Sequence, residues 1–177
     1  MPAKPGLIHA VSVTLALILT ACGPYGTMPA EPRRIVTAAV DDNNVVIADG
    51  HSTNVLELNG SQITRLWETG PVPVSLNVTR DLGADAGNAY RQGFVGSSLY
   101  VADIPPGSDL SDIPLHSQQS LDYIVVLEGE IDMVLPDESI RMRQGDILIQ
   151  AATVHSWVNP TDEYCRLLVV VLTGASE

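Results

Sequence analysis

The sequence predicts an all-β fold, a sandwich or jelly-roll barrel, and three observations predict it. Short apolar or alternating runs follow one another through most of the chain. Gly, Pro, Asn and Asp punctuate these runs at close intervals. No stretch shows a convincing long helical period, and no internal repeat is visible. Many short strands with frequent turns are the signature of this architecture.

Taken in order, residues 7–21 are mostly apolar behind Lys4, with small residues after them, the pattern of a secretion signal. The run is too short for a comfortable membrane span. Leu19-Thr20-Ala21-Cys22 resembles a bacterial lipobox. The alternative is that folding starts near Met28, so the chain divides into a leader over 1–27 and one domain over 28–177. Location follows the same fork: cytoplasmic if the protein begins near Met28, secreted or lipid-anchored if the leader works. Strands are expected at 45–48, 54–58 and 63–68, separated by the hairpin dipeptides Asp49-Gly50 and Asn59-Gly60. Residues 71–87, rich in Pro, Gly and Asp, are expected as a loop flanking the barrel mouth. A strand over 98–104 is ended by Pro105-Pro106-Gly107. Further strands are expected at 123–127, 131–135, 140–143, 147–150, 156–159 and 164–172.

Composition narrows function. Nine Lys plus Arg face 21 Asp plus Glu, a net charge of −12, and from Met28 onward eight arginines against those 21 acids leave −13. Such a surface repels phosphate backbones, which argues against nucleic acid as a partner. Lys4 is the single lysine, so the body holds no Schiff-base lysine, no phosphate-loop lysine and no pyridoxal attachment point. No Rossmann glycine pattern supports a nucleotide cofactor. Cys22 lies in the leader and Cys165 in an apolar strand, so no disulfide framework exists.

Chemistry concentrates between Gly107 and Asn159. His116, Gln118 and Asp122 share a parity, so a strand would aim them to one side, with Ile124 and Val126 continuing into the interior. A closed barrel would bring His155 opposite His116. Two imidazoles and a carboxylate converging in this way suit a non-haem iron or another divalent ion with open positions. Trp157 shares the parity of His155 and is expected as a pocket wall, and Gln118 as a hydrogen bonder in the cavity. Plainer readings stand beside these: core histidines held by hydrogen bonds, Asp122 held by backbone donors, and Trp157 as core packing.

The order of residues carries a resemblance. Gly107, His116, Gln118, Asp122 and Gly129, then Gly145, His155 and Asn159, resemble the two half-motifs of a cupin, with Gln118 where the family has a second histidine and Asp122 where it has glutamate. Within that family, His116-Ser-Gln-Gln-Ser-Leu-Asp122-Tyr123 and Gly145-Asp-Ile-Leu-Ile-Gln150 followed by Thr153-Val-His155-Ser-Trp157-Val-Asn159 are similar to small cupin-domain oxidoreductases of fungal polyketide clusters. Ala152 departs from that group, where glycine is usual, as do the extra residues between Gly107 and His116. The resemblance implies a double-stranded β-helix and an oxidoreductase acting on a polyketide-derived small molecule. It also implies a divalent ion (Fe, Mn or Zn) on His116, Asp122 and His155, a substrate pocket with Gln118 and Trp157, and a homodimer. Two alternatives stay open: a metal-free cupin that binds a metabolite or assists a partner enzyme, and an extracytoplasmic lipoprotein carrying a small ligand.

Overall fold

The computed structural model describes residues 26–76, 78–85 and 94–174. The leader motifs, Cys22 included, lie outside the described residues. Among the described residues, eleven strands and one short helical turn follow in order: β1 Arg33–Val40, β2 Asn43–His51, β3 Val55–Leu58, β4 Ser61–Thr69, α1 Leu82–Asp85, β5 Ser97–Ile104, β6 Ser120–Glu128, β7 Glu130–Val134, β8 Ser139–Arg143, β9 Ile147–Ala151, β10 Ser156–Val158 and β11 Cys165–Thr173. A six-stranded sheet runs β3-β4-β5-β11-β6-β9, a three-stranded sheet β10-β7-β8, and β1-β2 form a separate hairpin. Every pairing is antiparallel. The fold is the expected all-β jelly roll.

The core lies between the two larger sheets. Ile63, Ala102, Ile124, Val126 and Leu167 come from the six-stranded sheet, and Ile131, Met133, Met142 and Trp157 from the three-stranded one. Strand parity produces this arrangement. On β6, Ser120, Asp122, Ile124 and Val126 are buried while Tyr123 and Leu127 are exposed. Cross-strand register extends the inner face, with Val169 opposite Ile124, Val171 opposite Asp122, and Gln150 opposite Asp122 from the other side.

Two turns show where local sequence decides. Asn59 and Gly60 both take positive φ, 48° and 81°, and join β3 to β4 as the two-residue hairpin expected of an Asn-Gly pair. Asp49-Gly50, the other dipeptide expected to turn, instead lies inside β2, where Gly50 pairs with Arg34. The turn comes earlier, at Asp41 and Asp42, with φ of 48° and 64°. Asp tolerates the left-handed region better than most side chains, so two aspartates take the place of an Asn-Gly. The strand β1 leading into that turn has no counterpart among the expected strands. Its side chains alternate only between exposed and half-buried, and it pairs with β2 alone.

The expected 71–87 loop carries the turn α1, and positions 77, 86 and 87 of that loop lie outside the described residues. The Arg34 guanidinium grips the Asp81 carboxylate, with Nη1 2.6 Å from Oδ1, and Asp81 also accepts the backbone N–H of Gly83 and Ala84. A Cβ on Gly83 would meet the Leu66 carbonyl oxygen at 2.1 Å, so glycine is required for α1 to lie on β4.

Candidate functional site

The site stands where the segment before β6 meets the segment before β10. His116 and His155 form an isolated antiparallel bridge, and each backbone N–H donates to the other's carbonyl at 2.9 Å. This pairing forces the two imidazoles together, with ring centroids 4.4 Å apart and planes tilted by 53°. Trp157 meets His155 edge to face at 6.0 Å. Each histidine Nδ1 lies beside a carbonyl oxygen two residues earlier, His116 at 2.9 Å from that of Pro114 and His155 at 3.0 Å from that of Thr153. A backbone acceptor there holds the proton on Nδ1 and leaves Nε2 with its lone pair.

His155 is buried and His116 half-buried. Burial pushes the His155 imidazole below its ordinary range; the neighbouring His116 works in the same direction, while the Thr153 carbonyl and Asp122 oppose it. His155 therefore favours its neutral form. Gln150 Nε2 lies 3.0 Å from His155 Nδ1 and 3.2 Å from Nε2.

Asp122 is 3% exposed, and its Oδ2 accepts from Gln118 Nε2 at 3.0 Å. Its Oδ1 is buried without a hydrogen-bond partner. Asp122 and His116 line a cavity of about 440 Å³ whose walls include Ile63, Tyr100, Ile124, Trp157 and Leu167. Trp157 thus forms part of the cavity wall. Gln118 does not: it turns to the Asp122 carboxylate, because that acceptor lies within reach on the same side of the chain.

The three residues expected to hold an ion gather at one end of the barrel. Among the described residues, however, no three His, Cys, Asp or Glu side chains are grouped to hold one. Gln118 occupies one oxygen of Asp122, and the Gln150 amide sits against the His155 ring. As arranged, the donors do not fit a three-ligand metal site, although the unpartnered Oδ1 shows that the carboxylate is not fully satisfied.

Two further residues take a part that the sequence did not assign them: Gln150, known there only from the resemblance, and Ser156, which was passed over. Gln150, which replaces the family's proline, is buried against His155 and opposite Asp122. Ser156 is fully buried and donates to the Ile113 carbonyl, tying β10 to the loop that carries His116. Asn159 proves architectural: its Nδ2 donates to the carbonyls of Ile104 at 3.1 Å and Glu163 at 2.8 Å. Ala152 takes φ of 49°, so the glycine usual there has a conformational reason.

A closed antiparallel barrel with facing histidines from two half-motifs defines the class, and the family comparison agrees. The cupin-domain model matches residues 100–171. The chain belongs to the cupin family. Among its relatives, the cupin-domain-containing oxidoreductase virC of Hypocrea virens is 30% identical over 154 residues, covering 82% of this chain and 78% of virC. The oxidoreductase of the same description, fogC of Aspergillus ruber, is 39% identical over 115 residues, 60% of this chain and 54% of fogC. Phomopsin biosynthesis cluster protein D of Diaporthe leptostromiformis is 43% identical over 65 residues, 36% of this chain and 33% of that protein. The match to fogC thus spans about half of that relative's length.

Proposed function

We propose that this chain is an enzyme of small-molecule biosynthesis, in the oxidoreductase class that its relatives' names give, acting on a polyketide-type apolar molecule inside the barrel. The observation that carries this reading is the apolar cavity with His116 and Asp122 on its wall. His116 Nε2, free while Nδ1 is held by the Pro114 carbonyl, is the proton-transferring group. His155 braces the His116 ring, and Trp157 packs against the substrate body. Among the described residues lining the cavity none is a cysteine, and the part assigned to this chain is binding and proton transfer. An added divalent ion would supply Lewis-acid or redox chemistry, but His116, Asp122 and His155 would first have to rearrange to bind it.

The test is proton–deuterium exchange. A panel of apolar aryl and alkyl ketones is incubated with the full chain in D2O, and the hydrogens beside the carbonyl are followed by NMR. Exchange above background that His116→Ala abolishes supports the reading. Binding without exchange, unchanged by His116→Ala, would sink it and favour the second one, a metal-free binding or accessory protein. That second reading is supported by Gln118, which holds the Asp122 carboxylate in place of a ligand histidine. In either reading we expect a homodimer through the outer strands, where Ile147 and Ile149 are 70% and 66% exposed.

A further inference from the structure

The cavity has polar points at its two ends and apolar walls between them. Asp122 stands opposite Val171, which stands opposite Ser98 on β5. At the other end, Ser61 precedes Gln62, which pairs with Asp103, and so lies near the level of Ile104. Ser98 and Ile104 are separated by about 20 Å of extended strand. Both Asp122 and Ser61 line the same cavity, both are buried, and Asp122 Oδ1 and Ser61 Oγ have no hydrogen-bond partner. The wall between them is built from Ile63, Ala102, Ile104, Ile124 and Leu167.

The lining carries two carboxylates and one imidazole, that of His116. The carboxylates are those of Asp112 and Asp122. A carboxylate or phosphate ligand would meet repulsion from two carboxylates in a low-dielectric space, with no lysine or arginine among the described lining residues to offset it. A buried carboxylate oxygen without a donor, by contrast, is costly until a donor arrives. The other oxygen is already bound by Gln118. From these observations we infer that Asp122 is a specificity-determining residue, whose Oδ1 accepts a hydrogen bond from the hydroxyl group at one end of an elongated, neutral, otherwise apolar substrate. The inference rests on the barrel being the substrate site and adds the chemical class of what it admits.

Three probes of equal tail length test it by calorimetry on the full chain: 4-pentylphenol, 4-pentylanisole, which lacks the donor, and 4-pentylbenzoate, which is anionic. The phenol is expected to bind roughly tenfold more tightly than the anisole, the ratio of one charge-assisted hydrogen bond. The benzoate is expected to bind more weakly than either. Asp122→Asn keeps an oxygen for Gln118 and turns an N–H2 toward the cavity, so the phenol preference should vanish or invert. Equal binding of phenol and anisole by the wild type would overturn the role of Asp122 while leaving the cavity as the site. Failure of all three probes to bind would instead overturn the cavity reading, and this inference with it. A phenol preference that persists in folded Asp122→Asn, or that arises only after Zn²⁺ or Mn²⁺ is added, would also overturn it; in the second case the partner of Oδ1 is a cation. Should Asp122→Asn fail to fold, the wild-type phenol-to-anisole ratio decides alone.

Discussion

Both faces of the six-stranded sheet carry large apolar side chains, yet they serve different ends. Inward, Ile124, Val126, Leu167 and Val169 build the core and the cavity wall. Outward, Tyr123, Leu127, Ile147 and Ile149 are exposed. Hydrophobicity therefore does not tell the faces apart. The partnering of their buried polar groups does: inward, Asp122 and Gln150 face each other across β6 and β9 beside the histidines. The outer face has its own polar interruption where β5 and β11 meet. There Arg166 and Asp103 pair with Nε 2.6 Å from Oδ1, and Arg166 also donates to the Pro29 and Ala30 carbonyls. The inner polar group ends on an unpartnered oxygen, and the outer ion pair is closed by the chain itself. One buried polar group keeps an unpartnered oxygen, and the other fastens the N-terminal segment.

That contrast is broken most strongly from the outside. Asp103→Ala leaves the buried Arg166 guanidinium without its carboxylate and should cost about 3–5 kcal/mol in urea unfolding, with ligand binding in the cavity retained. From the inside, Leu167→Ala should cost about 3 kcal/mol and enlarge the cavity, so that bulkier apolar ligands bind the variant better than the wild type.

A smaller effect separates the Arg34–Asp81 pair from both faces by pH. Its hydrogen bond to Arg34 holds the Asp81 carboxyl below the ordinary carboxylate range, with backbone N–H groups and the charge of Arg34 assisting against burial. A depressed folded-state value contributes stability above the unfolded value and loses it as pH falls through the folded one. Acid unfolding of wild type and Asp81→Asn should therefore converge below the carboxylate range and diverge near neutrality, with the wild type more stable there.

At the rim of the site, Ala152→Gly should stabilise by about 1 kcal/mol, because glycine bears the positive φ without steric cost. A melting curve reads this directly. The smallest change belongs to the open outer face: Ile147→Ser and Ile149→Ser should each alter monomer stability by less than about 0.5 kcal/mol. Self-association, followed by analytical ultracentrifugation, should weaken in both. A large stability loss there would mean that the face is not open.

Much of the fold could be read from residue order. Parity placed Asp122, Ile124 and Val126 on one side, and Asn59-Gly60 marked its hairpin, because alternation and positive-φ tolerance are local properties. Asp49-Gly50 misled, since a dipeptide that can turn need not do so when strand pairing continues through it. The half-motifs picked out His116, Asp122 and His155 and their order. Only the tertiary structure decided what those residues touch: that Gln118 turns to Asp122, that Gln150 lies on His155, and that the donors, near one another as they are, are not grouped to hold an ion. These are relations between strands distant in sequence, set by register and closure of the barrel, and no local pattern carries them.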